Sequence, residues 1–436
     1  MSTLAKHPSK MLPPDAIPLE TLFATPCEVA ASWPKDEPII ALIGNGGHST
    51  WSRWSIIAPA NGNRITLQGA HALNELGVIL EKHGSETILP NWIGYLGYEL
   101  GYAIEPTAGK IPGNTWPLID LIWCDQALVH DSETDTWWSV GGCELPKRCT
   151  RQKLHPVWAG LRDSSGRDVF ESAVKKTIDY IHAGDIFQAN ITRRFSAEVC
   201  GDIRSSALSM LNSPGGWFGA WIEFPADGRY LMSMSPELFL QFNGETREII
   251  TRPMKGTRPE QDNPEQLLDS SKDAAELHMI VDLMRNDLGR ICKFGSIEVA
   301  HARSIEHHPT VWQCVGEIRG DVREDVDVEE ILRATFPAGS ITGAPKVRAM
   351  QIIHELEQTP RGPYCGAIGI LGKSLRLNVA IRTALFQGTG TSHQFNGELE
   401  YSTGCGIVAE SEPHAEVLES EVKTHILRAM PVRELH

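Results

Sequence analysis

The chain has 436 residues, of which 41% are hydrophobic and 22% charged. That is an ordinary globular composition, long enough to bury one large core or two joined ones. The formal net charge of −15 argues against sequence-independent nucleic-acid binding, which rests on Lys and Arg meeting phosphates.

Residues 1–18 read as a loose, polar, proline-rich tail without an apolar run of signal-peptide length. An N-terminal domain is expected over 19–145. Its short apolar runs Ile39–Ile43, Trp54–Ile57, Leu118–Trp123 and Trp137–Val140 read as strands. Gly44-Asn45-Gly46-Gly47 reads as a turn, because no phosphate-loop fingerprint surrounds it. The basic, polar stretch 146–165 is the expected linker to a second domain over 166–436. There a helix is predicted at Val169–Ala183, with Val169, Ala173, Thr177 and Ile181 on one face and Gly184 just past the end. Strands follow at Ile186–Phe195, Gly219–Phe224 and Tyr230–Ser233. Leu277, Ile280, Val281, Met284 and Leu288 recur at helical spacing and predict a helix over Ser271–Asp287. Another helix is expected from Pro345 to Gln358, with Pro345 in its first turn. Strands are expected at Ala367–Leu371, Leu377–Gln387 and Gly404–Val408. A last helix is expected at Pro413–Met430, with Ser411 as its cap. Runs of strands with helices between them indicate an α+β fold.

Nine scattered cysteines without a Cys-x-x-Cys pair argue against a disulfide framework or a structural zinc site. No apolar stretch reaches the roughly 18 residues of a membrane span, so a reducing, cytoplasmic setting is expected.

Four constellations could carry chemistry. Glu416, Glu419 and Lys423 share one helical face, which suits either a metal with a carboxylate ligand or a solvated face laced by ion pairs. Glu276 is a potential oxygen ligand for Mg²⁺, or a surface glutamate. Lys255 stands before Gly256 in a predicted loop, where glycine permits close approach of a ligand. A desolvated lysine near other cations is a nucleophile, whereas a solvated one is inert. Gly339-Ser340-Ile341-Thr342-Gly343-Ala344-Pro345-Lys346 lacks the ending of a nucleotide loop, but a helix N-terminus there suits a carboxylate or is simply capped.

Taken together and in order, the motifs resemble those of the chorismate-binding family of anthranilate, aminodeoxychorismate, isochorismate and salicylate synthases. They are Ala275-Glu276, Val281-Asp282-Leu283-Met284-Arg285-Asn286-Asp287-Leu288-Gly289-Arg290, Gly339 to Met350, and Gly404-Cys405-Gly406-Ile407-Val408. This similarity covers roughly residues 166–430. Ser52-Arg53-Trp54-Ser55 and Trp92-Ile93-Gly94-Tyr95-Leu96-Gly97-Tyr98 are similar to the N-terminal domain of the amino-transferring members.

The resemblance implies an α/β sandwich of two intertwined subdomains with large, mainly antiparallel sheets. It implies Mg²⁺ at Glu276 and Glu419, with Glu416 close by. The metal would hold the ring carboxylate of chorismate. Arg382, Tyr364 and the backbone around Gly404–Gly406 would meet the enolpyruvyl carboxylate, Lys423 would add positive charge, and Thr342 would line the ring site. Gln188 stands where water-using members carry a general-base lysine, which disfavours the isochorismate and salicylate branches. Glu237 matches the family's general acid. Lys255 stands where many aminodeoxychorismate synthases carry a covalent lysine and anthranilate synthases carry alanine.

The implied reaction joins chorismate with ammonia to give 4-amino-4-deoxychorismate, for p-aminobenzoate and folate synthesis. Ammonia would come from a separate glutamine amidotransferase subunit in a heterodimer, since no glutaminase nucleophile motif is found in the sequence. The alternatives are anthranilate synthase component I and, more distantly, a noncatalytic chorismate- or partner-binding relative. Gln313, Ile370 and Cys405 depart from the family pattern, in which histidine, tyrosine and a small residue are common. The Leu-Leu-Glu-Ser motif associated with tryptophan feedback is not evident. Weak or absent inhibition by tryptophan is therefore expected, and a titration of the reaction rate with tryptophan checks it.

Overall fold

The structure is a computed structural model that describes residues 11–19, 24–44, 51–113, 116–146, 160–213, 216–265, 267, 271–308 and 311–428. Two large sheets dominate it, and every strand pair is antiparallel. The first sheet runs Ile17–Pro18, Thr136–Val140, Ala127–Asp131, Trp54–Pro59, Ile39–Ile43, Phe218–Phe224, Arg229–Ser235, Thr383–Thr389, Phe395–Ile407, Gln188–Gly201 and Gly343–Ala344. Arg162–Asp163 pairs off this path with Gln188–Gly201. The second runs Met254–Pro259, Val311–Asp321, Glu248–Arg252, Leu238–Phe242, Leu375–Val379, Ala367–Leu371, Asn91–Leu96, Ile119–Cys124 and Arg64–Leu67, with Glu298–His308 beside Val311–Asp321. Each sheet is thus built from both halves of the chain. The joins are Ile39–Ile43 against Phe218–Phe224 and Asn91–Leu96 against Ala367–Leu371.

Side chains alternate across a strand, and here both faces of the first sheet are apolar. In Ile39–Ile43, Ile40 packs into a cluster shared with Ile93, Tyr95, Ile122 and Ile368 of the second sheet, so the sheets meet face to face there. Ile39, Ala41 and Ile43 turn to the opposite face, where the helices Pro26–Ala31 and Ile203–Leu211 contribute Val29 and Leu208. The helix Ser271–Gly289 buries Leu277, Ile280, Val281, Met284 and Leu288, the stripe read from spacing.

Several expectations change. The predicted strand Leu377–Gln387 is two strands, Leu375–Val379 and Thr383–Thr389, that belong to different sheets. The chain crosses between them at Arg382, whose φ is 52°. The helix Arg167–His182 buries Phe170, Ala173, Val174 and Thr177 and leaves Val169 exposed, so its apolar face is rotated from the one predicted. Pro345 caps the helix Lys346–Leu356 and precedes its first turn. Ile17–Pro18, expected in a loose tail, pairs at the edge of the first sheet. Gly44 is followed by residues outside the described set, as are 147–159 of the expected linker and the end of the predicted last helix.

Candidate active site

Strands from both sheets wall a cavity of about 950 Å³. Ten of the residues singled out in the sequence line it: Glu237, Lys255, Glu276, Tyr364, Arg382, Gly404, Gly406, Glu416, Glu419 and Lys423. They come from seven separate segments of the chain, and the fold accounts for each position.

Glu237 sits where the chain leaves Arg229–Ser235 in the first sheet for Leu238–Phe242 in the second. Arg382 sits on the return crossing. The two crossings are stitched together. Val379 N–H donates to Glu237 O at 3.0 Å, Ser235 Oγ donates to Val379 O at 2.6 Å, and Met234 N–H donates to Arg382 O at 3.0 Å. Glu237 is buried, and that burial raises its carboxyl to about 7, against opposing pulls from Ser340, Lys255 and the Met254 N–H. Burial lowers the Arg382 guanidinium from its usual range.

Lys255 lies in the strand Met254–Pro259, not in a loop. Against Val311–Asp321 the register slips between Lys255 and Thr257, and Gly256 has a φ of 77°. This is a β-bulge, a device that re-aims a side chain. The Lys255 ammonium donates to Ser340 O at 3.4 Å.

Across the cavity, Gly404 and Gly406 occupy alternate positions of Phe395–Ile407, opposite Thr192 and Asn190. A Cβ on Gly404 would fall 2.8 Å from Asn190 Nδ2 and 3.1 Å from the Tyr364 hydroxyl. A Cβ on Gly406 would fall 2.5 Å from Gln188 Nε2 and 3.1 Å from Lys255 Nζ. Gln188 is buried behind this wall, and its Oε1 has no hydrogen-bond partner. Thr342, expected to line the ring site, does not line the cavity. It is fully buried, and its hydroxyl donates to Ala338 O at 3.0 Å.

The helix Pro413–Val422 brings Glu416 and Glu419 to the cavity, with Lys423 at its end. Ser411 is not its cap; that position is Glu412. Ser411 Oγ donates instead to Glu416 Oε1 at 2.8 Å. Ligand atoms of Cys405, Glu416 and Glu419 lie within 4.8 Å of one another. Burial lifts the Cys405 thiol to about 12, while Glu416 and Glu419 offer carboxylate oxygens. Glu276 adds a further carboxylate from the helix Ser271–Gly289. These carboxylates fit Mg²⁺.

A family model for chorismate binding enzymes matches residues 50–429. The chain belongs to the chorismate-binding enzyme family. It is 38% identical over 405 residues to aminodeoxychorismate synthase component 1 of Klebsiella aerogenes, covering 88% of this chain and 86% of that one. It is 38% identical over 347 residues to the protein of that name from Escherichia coli K12, covering 75% and 74%. Its fold superposes on anthranilate synthase component I from Streptococcus pneumoniae TIGR4 with a TM-score of 0.75 at 26% identity, over 86% of this chain and 92% of that one.

In this chorismate-binding chain, sequence reasoning passed over Arg361. Its buried guanidinium donates to Ile341 O at 2.9 Å and Asn190 O at 2.6 Å, both on residues of the cavity wall, and to both oxygens of Glu357. Glu99, from the N-terminal half, accepts the Arg361 N–H at 2.6 Å. The available signal was an arginine three residues before Tyr364, without periodicity to mark it as buried. Asn190 and Ser340 were also passed over as wall residues, although their neighbours were noted.

The glycine cradle makes a direct expectation. Gly406→Ala should lower chorismate turnover on the order of a hundredfold, the scale of a 1 Å misplacement, while the circular dichroism spectrum stays native. A wild-type rate in that variant would show that the space beside Lys255 is not used.

Proposed function

We propose that this chain is the synthase subunit of an aminodeoxychorismate synthase, which converts chorismate and ammonia to 4-amino-4-deoxychorismate and water. The observation that carries the reading is that Lys255 and Glu237 line one cavity, close enough for the lysine charge to act on the carboxyl. The 38% identity to two aminodeoxychorismate synthases supports it.

Chorismate is a dicarboxylate, and the cavity offers one region for each carboxylate. Arg382 and Tyr364, with the backbone of Gly404–Gly406, would take the enolpyruvyl carboxylate. Glu276, Glu416 and Glu419 would hold Mg²⁺, which when bound supplies charge to fix the ring carboxylate. Lys255, as a neutral amine, forms an N–C bond at C2 of the ring. Both conjugated ring double bonds shift by one position, the C4–O bond breaks, and Glu237 gives its proton to the departing hydroxyl, which leaves as water. Ammonia then bonds to C4, both double bonds shift back, and the C2–N bond breaks to restore the Lys255 amine. The new ammonium returns one proton to the Glu237 carboxylate. Gln188 has no basic nitrogen with which to deprotonate water, which supports ammonia over water as the nucleophile. The pyruvyl group is retained, so a separate lyase would make p-aminobenzoate, and a separate glutamine amidotransferase would supply ammonia.

Anthranilate synthase is the second reading, favoured by the Streptococcus neighbour. Incubation with chorismate, Mg²⁺ and ammonium, with and without an added lyase, separates the two. Release of fluorescent anthranilate without lyase would overturn the proposal.

Two further outcomes are expected. Lys255→Ala should lose amination, and intact-protein mass spectrometry of the wild type with chorismate and Mg²⁺ but no ammonia should trap an adduct that the variant lacks. Full activity in Lys255→Ala would sink the covalent step. A Glu237 carboxyl at about 7 is protonated below that pH, so the rate should fall as pH rises through about 7. Glu237→Gln should lose roughly 10²- to 10⁴-fold in kcat, the usual worth of a general acid, and should lose that limb of the pH profile.

A further inference from the structure

Lys423 follows the last turn of the helix Pro413–Val422, and its ammonium reaches back into the carboxylate cluster. It donates to Gly404 O at 2.6 Å, pairs with Glu419 Oε1 at 2.8 Å and lies 4.0 Å from Cys405 Sγ. The two glutamates are held differently. Glu416 is buried and fixed by the Ser411 hydroxyl. Glu419 is half exposed, and a lysine claims one of its oxygens. The ammonium therefore occupies the side of Glu419 that faces Cys405 and Glu416, the side a cation shared with Glu416 would need. A dication and an ammonium cannot both sit on one carboxylate oxygen without strong repulsion at that range. Lys423 can move, because its side chain is 43% exposed and ends a flexible four-carbon stem.

We propose that Lys423 is a stand-in cation: Glu419 holds its ammonium while no metal is bound, and metal binding releases that ammonium to a carboxylate of the substrate. The inference rests on the reading of Glu416 and Glu419 as metal ligands. The same lysine thus neutralises the empty carboxylate site and later helps to bind a dianionic ligand. Metal and substrate become coupled through it, and linkage requires the coupling to be reciprocal.

The test is isothermal titration of Mg²⁺ into the full chain without chorismate, for the wild type, Lys423→Met and Lys255→Met. Lys255→Met removes a cation of the same cavity that makes no bond to Glu419. Circular dichroism checks that each variant is folded. Lys423→Met should bind Mg²⁺ about fivefold more tightly or better, the scale of one lost partly exposed ion pair, and Lys255→Met should stay within about twofold of wild type. With Mg²⁺ saturating, chorismate should bind more weakly to Lys423→Met. These opposite signs are not expected of a merely structural lysine. Equal Mg²⁺ affinity in wild type and Lys423→Met, or equal tightening in both variants, would overturn the stand-in role alone. No Mg²⁺ uptake by any of the three proteins would remove the metal reading, and this proposal with it.

Discussion

Two of the chain's crossings between sheets lie side by side, and the candidate site depends on that. A carboxyl and a guanidinium held on crossings between sheets point where neither sheet's regular pleat would put them. The cost of leaving a sheet is an unmet backbone group, since a buried N–H or C=O without a partner costs roughly 1–3 kcal/mol. Here each crossing satisfies the other. Ser235 donates to Val379 O, Val379 N–H reaches Glu237 O, and Arg382 O accepts from Met234. The positive φ of Arg382, uncommon for a residue with a side chain, is held by strands on either side. Fixing these crossings also fixes the separation of the sheets, and so the width of the cavity.

A second buried junction locks the opposite wall. The Arg361 guanidinium cannot be left unpaired in the interior, and its donors meet Glu357, Ile341 O and Asn190 O. It also lies 4.4 Å from the centre of the Tyr98 ring. Glu99 ties the Arg361 backbone to the N-terminal half of the chain. Strands from residues 39–140 therefore do more than extend the sheets, because one of their neighbouring segments sets the loop that carries Tyr364. The net charge of −15 does not describe the interior of the cleft. Lys255, Arg258, Arg382 and Lys423 all line the cavity, and low-dielectric walls strengthen what they do there.

Local chemistry made part of this legible in the sequence. The stripe from Leu277 to Leu288 needed only helical spacing, and the strand Ile39–Ile43 needed only a short apolar run between turns. Glu416 and Glu419 fall on one helix and line one cavity, because helical spacing alone fixes their relation. What escaped were features set by long-range pairing. Leu377–Gln387 is apolar enough for one strand, and nothing in it announces that its halves join different sheets. The face of Arg167–His182 was assigned from Val169, whereas packing chose the stripe through Phe170. Arg361 carries no pattern at all; only the carbonyls it meets reveal its role.

Lys255 joins the two kinds of information. Its identity was legible, and its surroundings were not. A loop lysine before glycine would be free to turn to solvent. The bulge at Gly256 exists only because Val311–Asp321 pairs with Lys255 on one side of the slip and Thr257 on the other. That register holds the ammonium 3.4 Å from Ser340 O, and the absence of a side chain at Gly406 keeps the space in front of it open. Side chains on a regular strand alternate between its faces, and the bulge changes which residues share the face of Lys255. The chemistry available to the cavity therefore turns on one extra residue in one strand. Within a fold that several chorismate-binding enzymes share, such a register shift is enough to decide whether a lysine faces the ligand or the solvent.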